Sequence, residues 1–272
     1  MFQDLNLSFD NAFSLRPAAK CDRLLVYRNG KVLAGQDADE IILPTLAELS
    51  EAHDLHYAFR LGEAYYYLAD TENPGSFLEI SSQTYRTMAP AHTVFACAVG
   101  ESLRRWYDAN RFCGRCGNRM EESKTERAMV CPHCGLTVYP KISPAVIVAV
   151  CNGGRLLLTK YAGRSFKRYA LIAGFNEIGE SIEATVHREV MEETGLTVKN
   201  LWFYKSQPWV FTDSLLMGFF CDLDGSDKIR LQESELSEAA WFSREDIPDD
   251  HSSISLTGEM IERFREGLEN TP

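Results

Sequence analysis

Gly174-Phe175-Asn176-Glu177-Ile178-Gly179-Glu180-Ser181-Ile182-Glu183-Ala184-Thr185-Val186-His187-Arg188-Glu189-Val190-Met191-Glu192-Glu193-Thr194-Gly195-Leu196 carries six carboxylates and one arginine. Ser181 suits an N-cap and Gly195 a helix-ending left-handed residue, so the spacing predicts a helix over about 182–194. At about 100° per residue, Glu189, Glu192 and Glu193 fall within an arc of roughly 100°. Val186, Val190 and Met191 are expected on the other side, as the stripe that faces the core. The three clustered glutamates occupy the C-terminal half, where the helix dipole disfavours each anion by about 0.3–1 kcal/mol. A merely solvated acidic face tolerates lysines at i+4, and none is present here. A hard divalent cation bound through carboxylate oxygens offsets that penalty and the repulsion of like charges at i, i+3 and i+4.

The stretch resembles the Nudix box, G-x5-E-x7-R-E-U-x-E-E-x-G-U with U aliphatic. Gly174, Glu180, Arg188, Glu189, Val190, Glu192, Glu193, Gly195 and Leu196 fill every fixed position. The resemblance implies Glu189 and Glu193 as principal ligands of Mg²⁺ or Mn²⁺. Glu192 shares that shell or positions water, and the carbonyl of Ala173 completes the set. It further implies a supporting bridge between Arg188 and Glu180. Glu235, in Glu233-Ser234-Glu235-Leu236-Ser237-Glu238, matches the extra carboxylate that serves as metal ligand or base, with Glu238 the alternative if the register differs.

The chain has 272 residues, enough for two ordinary domains, and an unexceptional hydrophobic fraction of 45%. A net charge of −11 argues against loose, sequence-independent binding to nucleic acid or anionic membrane. No apolar run approaches the length of a membrane span, and the first residues lack the basic start and apolar core of a secretory signal. The expectation is a cytoplasmic protein. Cys21, Cys97, Cys151 and Cys221 sit among apolar neighbours and are expected to be reduced, buried small residues.

The other four cysteines are clustered. Cys113-Gly114-Arg115-Cys116 and Cys131-Pro132-His133-Cys134 form C-x2-C-x14-C-x2-C. Two knuckles with four thiolates close a tetrahedral zinc site and leave no open position, so the zinc is expected to be structural and His133 a bystander. A redox CxxC pair is the rival reading. Zinc ribbons also contact nucleic acid, but the nearby Arg104, Arg105, Arg111, Arg115, Arg119, Lys124 and Arg127 are interleaved with Glu101, Asp108, Glu121, Glu122 and Glu126. The stretches 123–129 and 139–144 resemble the NADH pyrophosphatase family, in which the positions of Glu126 and Tyr139 lie near substrate.

Before the ribbon, residues 1–110 read as β-rich. A hairpin is expected around Asn29-Gly30, with strands at 40–43, 57–61 and 64–68 and a helix over about 91–110 carrying Val94, Phe95, Ala98, Leu103 and Trp106. His53 and His56 have no accompanying ligand cluster and are expected in surface or capping roles. By position alone the region resembles the degenerate Nudix-like N-terminal domain of bacterial NADH pyrophosphatases, with a scaffold or dimer-supporting role.

After the ribbon, 145–151 reads as a buried strand paired with 155–159 across Asn152-Gly153-Gly154. Further strands are expected at 170–173, 201–204, 215–223 and 239–242, and helices near 181–194 and 257–268. The expected fold is an α/β/α sandwich on a mixed sheet, with domains at 1–110, 111–140 and 141–272.

Ser206-Gln207-Pro208-Trp209-Val210-Phe211-Thr212-Asp213-Ser214 begins eleven residues beyond Gly195. It resembles SQPWPFPxS, the signature of NADH pyrophosphatases, with Val210 and Thr212 in place of prolines. Trp209 and Phe211 offer flat faces for a nicotinamide or adenine ring, and Gln207, Pro208 and Ser214 further contacts. Loss of two prolines removes φ restraints, so the loop is expected to be looser and its selectivity altered. Phe175 corresponds to the family's ring-stacking aromatic and Thr257 to a C-terminal substrate contact.

The resemblance implies hydrolysis of NAD(H) to nicotinamide mononucleotide and AMP and removal of NAD caps from RNA. It also implies a homodimer in which the partner chain contributes to the pocket. One rival is a Nudix hydrolase of another nucleoside diphosphate derivative such as ADP-ribose. The other is a non-enzymatic zinc-ribbon regulator that binds nucleotide or RNA.

Overall fold

The computed structural model describes residues 3–163, 168–232, 234–249, 251 and 254–269. Among the described residues, one unit takes in 3–141 together with 210–212; the other covers 142–209 and 213–269.

The first unit opens with β1 (Phe9–Asp10) and a hairpin of β2 (Arg23–Arg28) and β3 (Lys31–Asp37). Asn29 and Gly30 take φ values of 54° and 71°, the pair of left-handed residues that a twist-matched two-residue turn requires. β4 (Glu40–Ile42), β5 (His53–Leu61), β6 (Ala64–Asp70) and β7 (Leu78–Ser81) complete a seven-stranded sheet among the described residues. Its order is β1-β5-β6-β2-β3-β4, with β7 also on β3 and β2 parallel to β6. A single turn, α1 (Ser82–Tyr85), leads to α2 (Ala91–Ala109), which buries Val94, Phe95, Ala98, Leu103 and Trp106, the five residues whose spacing reads as helical. Cys97 is buried as expected, but Cys21 is exposed, because it lies in the turn before β2 and not in the strand itself. β8 (Glu121–Glu122), β9 (Met129–Val130) and β10 (Thr137–Val138) make the small antiparallel sheet of the ribbon.

In the second unit, β11 (Ser143–Asn152) is the central strand. Along one of its edges it pairs with β12 (Arg155–Tyr161) at Cys151 and Asn152 and with β13 (Ile172–Phe175) at 145–148. α3 (Ile182–Thr194) follows, then the long hairpin β14 (Thr197–Trp209) and β15 (Ser214–Asp224), then β16 (Leu236–Ser243) and α4 (Leu256–Arg265). The order is β14-β15-β11-β12-β16, with β11 parallel to β15. Strand alternation decides what β11 touches. Val146, Val148 and Val150 pack with Val186 and Val190 of α3, whereas Ile147, Ala149 and Cys151 pack with Leu256, Met260, Ile261 and Phe264 of α4. Burial on both faces explains the unbroken apolar run and makes this unit the expected α/β/α sandwich.

The two sheets share a wiring. A hairpin (β2–β3, β11–β12) lies beside a later hairpin (β5–β6, β14–β15) through a parallel pair, and a helix follows in each. Only the second unit places a helix between its two hairpins, and that helix carries the acidic cluster.

Candidate active site and zinc site

α3 begins where Ser181 Oγ accepts from Ala184 N (3.2 Å) and ends at Gly195, whose φ of 67° closes the last turn through a bond from its N–H to Met191 O (2.9 Å). Its buried face differs from the expected stripe. Met191 is 41% exposed, whereas Val186, Glu189, Val190 and Glu193 are all buried. These four stand at i, i+3, i+4 and i+7, so two glutamates share the face that the valines press on the sheet. Glu192 lies outside that set and is exposed.

Burial sets the electrostatics. The Glu193 side chain is 1% exposed, its Oε2 has no hydrogen-bond partner, and desolvation pushes its carboxyl up to about 8, with Glu189, Glu235 and Glu192 adding repulsion. Burial likewise raises Glu189, opposed by Arg188. The Glu189 carboxylate rests directly on Gly174, where an added Cβ would stand 1.9 Å from its Cδ. That contact is why the third residue of β13 must be glycine.

Arg188 organises the loop that precedes the helix. It donates from Nε and Nη2 to Glu180 (both 2.9 Å), from Nη2 to Phe175 O (2.9 Å), and from Nη1 to Glu189 (2.8 Å) and Glu192 (2.9 Å). The guanidinium holds the Glu180 carboxyl down at about 2, and the expected bridge is present. Two residues that sequence reasoning passed over complete the scaffold. Thr185 Oγ1 donates to Glu180 (2.8 Å), and Asn176 Nδ2 donates to Glu180 O (3.0 Å) and Thr185 Oγ1 (2.8 Å). Both lie at variable box positions, which left no signal to find them.

Ala173 lies opposite Ile147 on β13, one residue before Gly174. Glu235 is exposed in the turn before β16, and its charge is among the causes raising both Glu189 and Glu193. Glu238, the alternative, points elsewhere: it pairs with Lys160 Nζ (2.8 Å) and accepts from Tyr169 Oη. The box glutamates do not converge to a point. Among the described residues, groups of three or more potential ligand atoms within 4.8 Å of one another are formed by the four cysteines and by Asp249, His251 and Glu262. The second group already holds a cation, since Arg265 Nη1 lies 2.7 Å from Glu262 and 3.7 Å from Asp249.

The two buried carboxylates, one with an orphaned oxygen, fit a hard divalent cation by their donor chemistry. Residues 141–264 match the NUDIX domain family, and residues 108–139 match the NADH pyrophosphatase zinc ribbon domain. Residues 141–264 are a Nudix domain. A protein named NAD-capped RNA hydrolase NudC from Pectobacterium atrosepticum is 44% identical over 149 residues, 55% of this chain and 57% of that one. Its namesake from Haemophilus influenzae is 42% identical over 168 residues, 61% of this chain and 63% of that one. The matched stretch thus spans less than two thirds of either relative. Among solved structures, a NUDIX hydrolase from Nitrosomonas europaea aligns at a TM-score of 0.48 and 20% identity, covering 59% of this chain and 93% of that one.

The residues expected to contact substrate divide into two groups. In the Nudix domain, Phe175 is 55% exposed within the box, Pro208 and Trp209 are half-buried at the end of β14, and Ser214 is buried where β15 starts opposite Trp209. Thr257 is half-buried in the first turn of α4. Gln207, expected as a polar contact to substrate, has its amide bonded within the fold. It is fully buried, its Nε2 donating to Ile254 O (2.9 Å) and its Oε1 accepting from Leu256 N (2.7 Å). Its amide is committed to joining β14 to the start of α4. In the first unit, Tyr139 is 56% exposed and donates to Glu126 Oε1 (3.1 Å), so those two are brought together. Residues 210–212 group with that unit, where Arg105 donates to Val210 O (2.7 Å) and Arg86 lies 4.4 Å from the Phe211 ring centre. The segment that lost two prolines therefore carries other restraints.

The ribbon's knuckles are alike. Cys113 N donates to Asn118 O and Gly117 N to Cys113 O; Cys131 N donates to Leu136 O and Gly135 N to Cys131 O. Sulfur pairs Cys113–Cys134 and Cys116–Cys131 stand 3.5 Å apart, near the edge of about 3.8 Å that four sulfurs at about 2.3 Å from zinc define. Hydrogen bonds from Asn118 draw the Cys116 thiol down to about 5, toward the thiolate that zinc needs. The site fits structural zinc, and His133 is not among its ligands. Two of the basic residues that raised the nucleic-acid reading are spent internally. Arg104 pairs with Asp70 (2.6 Å) and Asp108 (2.9 Å), and Arg127 donates to Asn11 Oδ1 (2.5 Å) and to Ala58 O.

Proposed function

We propose that this chain hydrolyses the pyrophosphate bond of NAD(H), giving nicotinamide mononucleotide and AMP, and removes NAD caps from RNA 5′ ends. The observation that carries the reading is the buried Glu193 carboxylate with its unpaired oxygen, beside Glu189, in a complete Nudix box. The names of the relatives and the NADH pyrophosphatase type of zinc ribbon support the choice of substrate.

In this reading Glu189 and Glu193, with Glu192, Glu235 and the Ala173 carbonyl, hold Mg²⁺ or Mn²⁺. Such a cation would neutralise charge on the pyrophosphate oxygens and acidify a water. Glu235, exposed and near the pair, completes the ligand set or accepts the proton of the attacking water. Arg188 and Glu180 keep the loop fixed while charge moves. Phe175 and Trp209 stack on the bases, Tyr139 and Glu126 contact the dinucleotide, and Ser214 and Thr257 contribute polar contacts. Gln207 and Pro208 shape the end of β14 that presents Trp209. Zinc holds the ribbon, the region before it serves as scaffold, and the protein works as a cytoplasmic homodimer. No helix among the described residues is long and apolar enough to cross a membrane.

Val210 and Thr212, which lack the ring restraint of proline, favour a second reading, hydrolysis of another nucleoside diphosphate derivative such as ADP-ribose. A panel of NADH, NAD⁺, ADP-ribose, diadenosine polyphosphates and NAD-capped RNA, assayed with Mg²⁺ and with Mn²⁺, separates the two. The proposal requires NAD(H) or NAD-capped RNA to give the highest kcat/KM. Preference for ADP-ribose establishes the rival, and cation-independent binding without turnover of any member excludes both.

A further inference from the structure

Gln232 touches both ends of the carboxylate cluster. Its backbone N–H donates to Glu193 O (3.0 Å) and, with the bond from Arg230 N to Thr194 O (2.8 Å), satisfies two carbonyls that the end of α3 leaves without helical partners. Its own carbonyl accepts from Glu235 N and Leu236 N (3.0 Å each), which turns the chain back toward β16. Its side-chain amide Nε2 reaches Glu235 Oε1 at 3.4 Å. The turn is fixed from its far side as well: Ala162 N donates to Glu235 O (2.8 Å), and Leu236 is fully buried. One residue thus grips the helix that carries Glu193 through its main chain and the Glu235 carboxylate through its side chain.

We propose that Gln232 is a positioning residue that sets the separation of Glu235 from the Glu189–Glu193 pair and orients the Glu235 carboxylate toward it. The inference rests on the reading of Glu235 as part of the cation site. Residue type supports it. A neutral amide donates to one carboxylate oxygen and leaves the other free, whereas a lysine or arginine here would itself compete for the carboxylate. An acidic residue would add another like charge to a cluster that already repels itself.

The test is Mn²⁺ affinity of the full-length protein, measured by electron paramagnetic resonance for the wild type, Gln232→Met, Gln232→Leu, Glu235→Gln and the Gln232→Met/Glu235→Gln double variant. Thermal unfolding in chelator and zinc content are followed in parallel. Both Gln232 variants keep the backbone cap, so unfolding and zinc content are expected to stay at wild-type values while the Mn²⁺ dissociation constant rises about tenfold. Glu235→Gln is expected to weaken binding at least as much, and the double variant no further than Glu235→Gln alone. If Glu235→Gln weakens binding but the Gln232 variants do not, or if the two effects multiply, the inference is overturned and the reading of Glu235 stands. Loss of thermal stability in both Gln232 variants, matching the loss of affinity, overturns it as well. If Glu235→Gln leaves Mn²⁺ affinity unchanged, the reading of Glu235 fails and the inference fails with it.

Discussion

The Glu189 carboxylate packs directly against Gly174, and the absence of one carbon makes that possible. A methyl group on Gly174 would stand 1.9 Å from the Glu189 carboxylate carbon, closer than any real contact, so the acid must swing away. Gly174→Ala is therefore expected to cut kcat/KM by about 100-fold, the cost of a displacement of about 1 Å in a catalytic group. Steady-state kinetics beside a thermal melt checks this, and full activity in a folded variant contradicts it. Glu193 presents the reverse problem, a carboxylate buried without a protein partner for Oε2. Glu189→Gln and Glu193→Gln are expected to lower kcat by orders of magnitude while leaving the chelated protein as stable as wild type, because neither removes packing volume. Loss of the fold in either variant would instead make these acids structural.

At the scale of elements, α3 was legible at its ends and misread across its width. Ser181 and Gly195 fix the ends through local chemistry, and both act as expected. Apolar residues alone assign the wrong face, because the i+3 and i+7 neighbours of Val186 are Glu189 and Glu193, and both are buried. The partners of Gln207 are hidden for a related reason: nothing local reveals that a strand end meets the start of a helix 49 positions later. The ribbon was legible because its spacing alone determines the knuckles. Cys116→Ser is expected to lower bound zinc from about one per chain toward none and to broaden the melt of the first unit, as measured by atomic absorption and calorimetry. Retention of stoichiometric zinc contradicts the four-sulfur site.

The same unit contains a pH-dependent contact. His56 Nδ1 lies 2.5 Å from Glu122 of β8, and the His56 ring stacks on Tyr107 at 5.2 Å. The hydrogen bond to Glu122 raises the imidazole above 6.5 against the opposing effect of burial. A histidine raised on folding contributes fully below its unfolded pKa of about 6.5 and loses that contribution as pH rises through the folded value. With Glu122 39% exposed, the pair is worth at most about 1 kcal/mol. Urea unfolding of wild type and Glu122→Gln is expected to show a gap at pH 6 that closes by pH 9. An equal gap at both pH values contradicts the assignment.

At the scale of the whole molecule, the sequence displays hydrophobic periods but not which strands pair. It therefore reveals the β-rich character of residues 1–110 and conceals their wiring. The parallel pairs β2·β6 and β11·β15 join segments dozens of residues apart, and only they expose the wiring that the two units share. That both units use it, while one alone inserts an acidic helix between its hairpins, gives the molecule one candidate catalytic apparatus among the described residues. The most direct test is hydrolysis of NADH by the purified full-length chain, with products resolved by chromatography, in Mn²⁺, in chelator and with Glu193→Gln. Equimolar nicotinamide mononucleotide and AMP, formed only by the wild type and only with the cation, is the predicted result. Turnover that persists in chelator or in Glu193→Gln, or intact NADH with Mn²⁺ and wild-type protein, would contradict it.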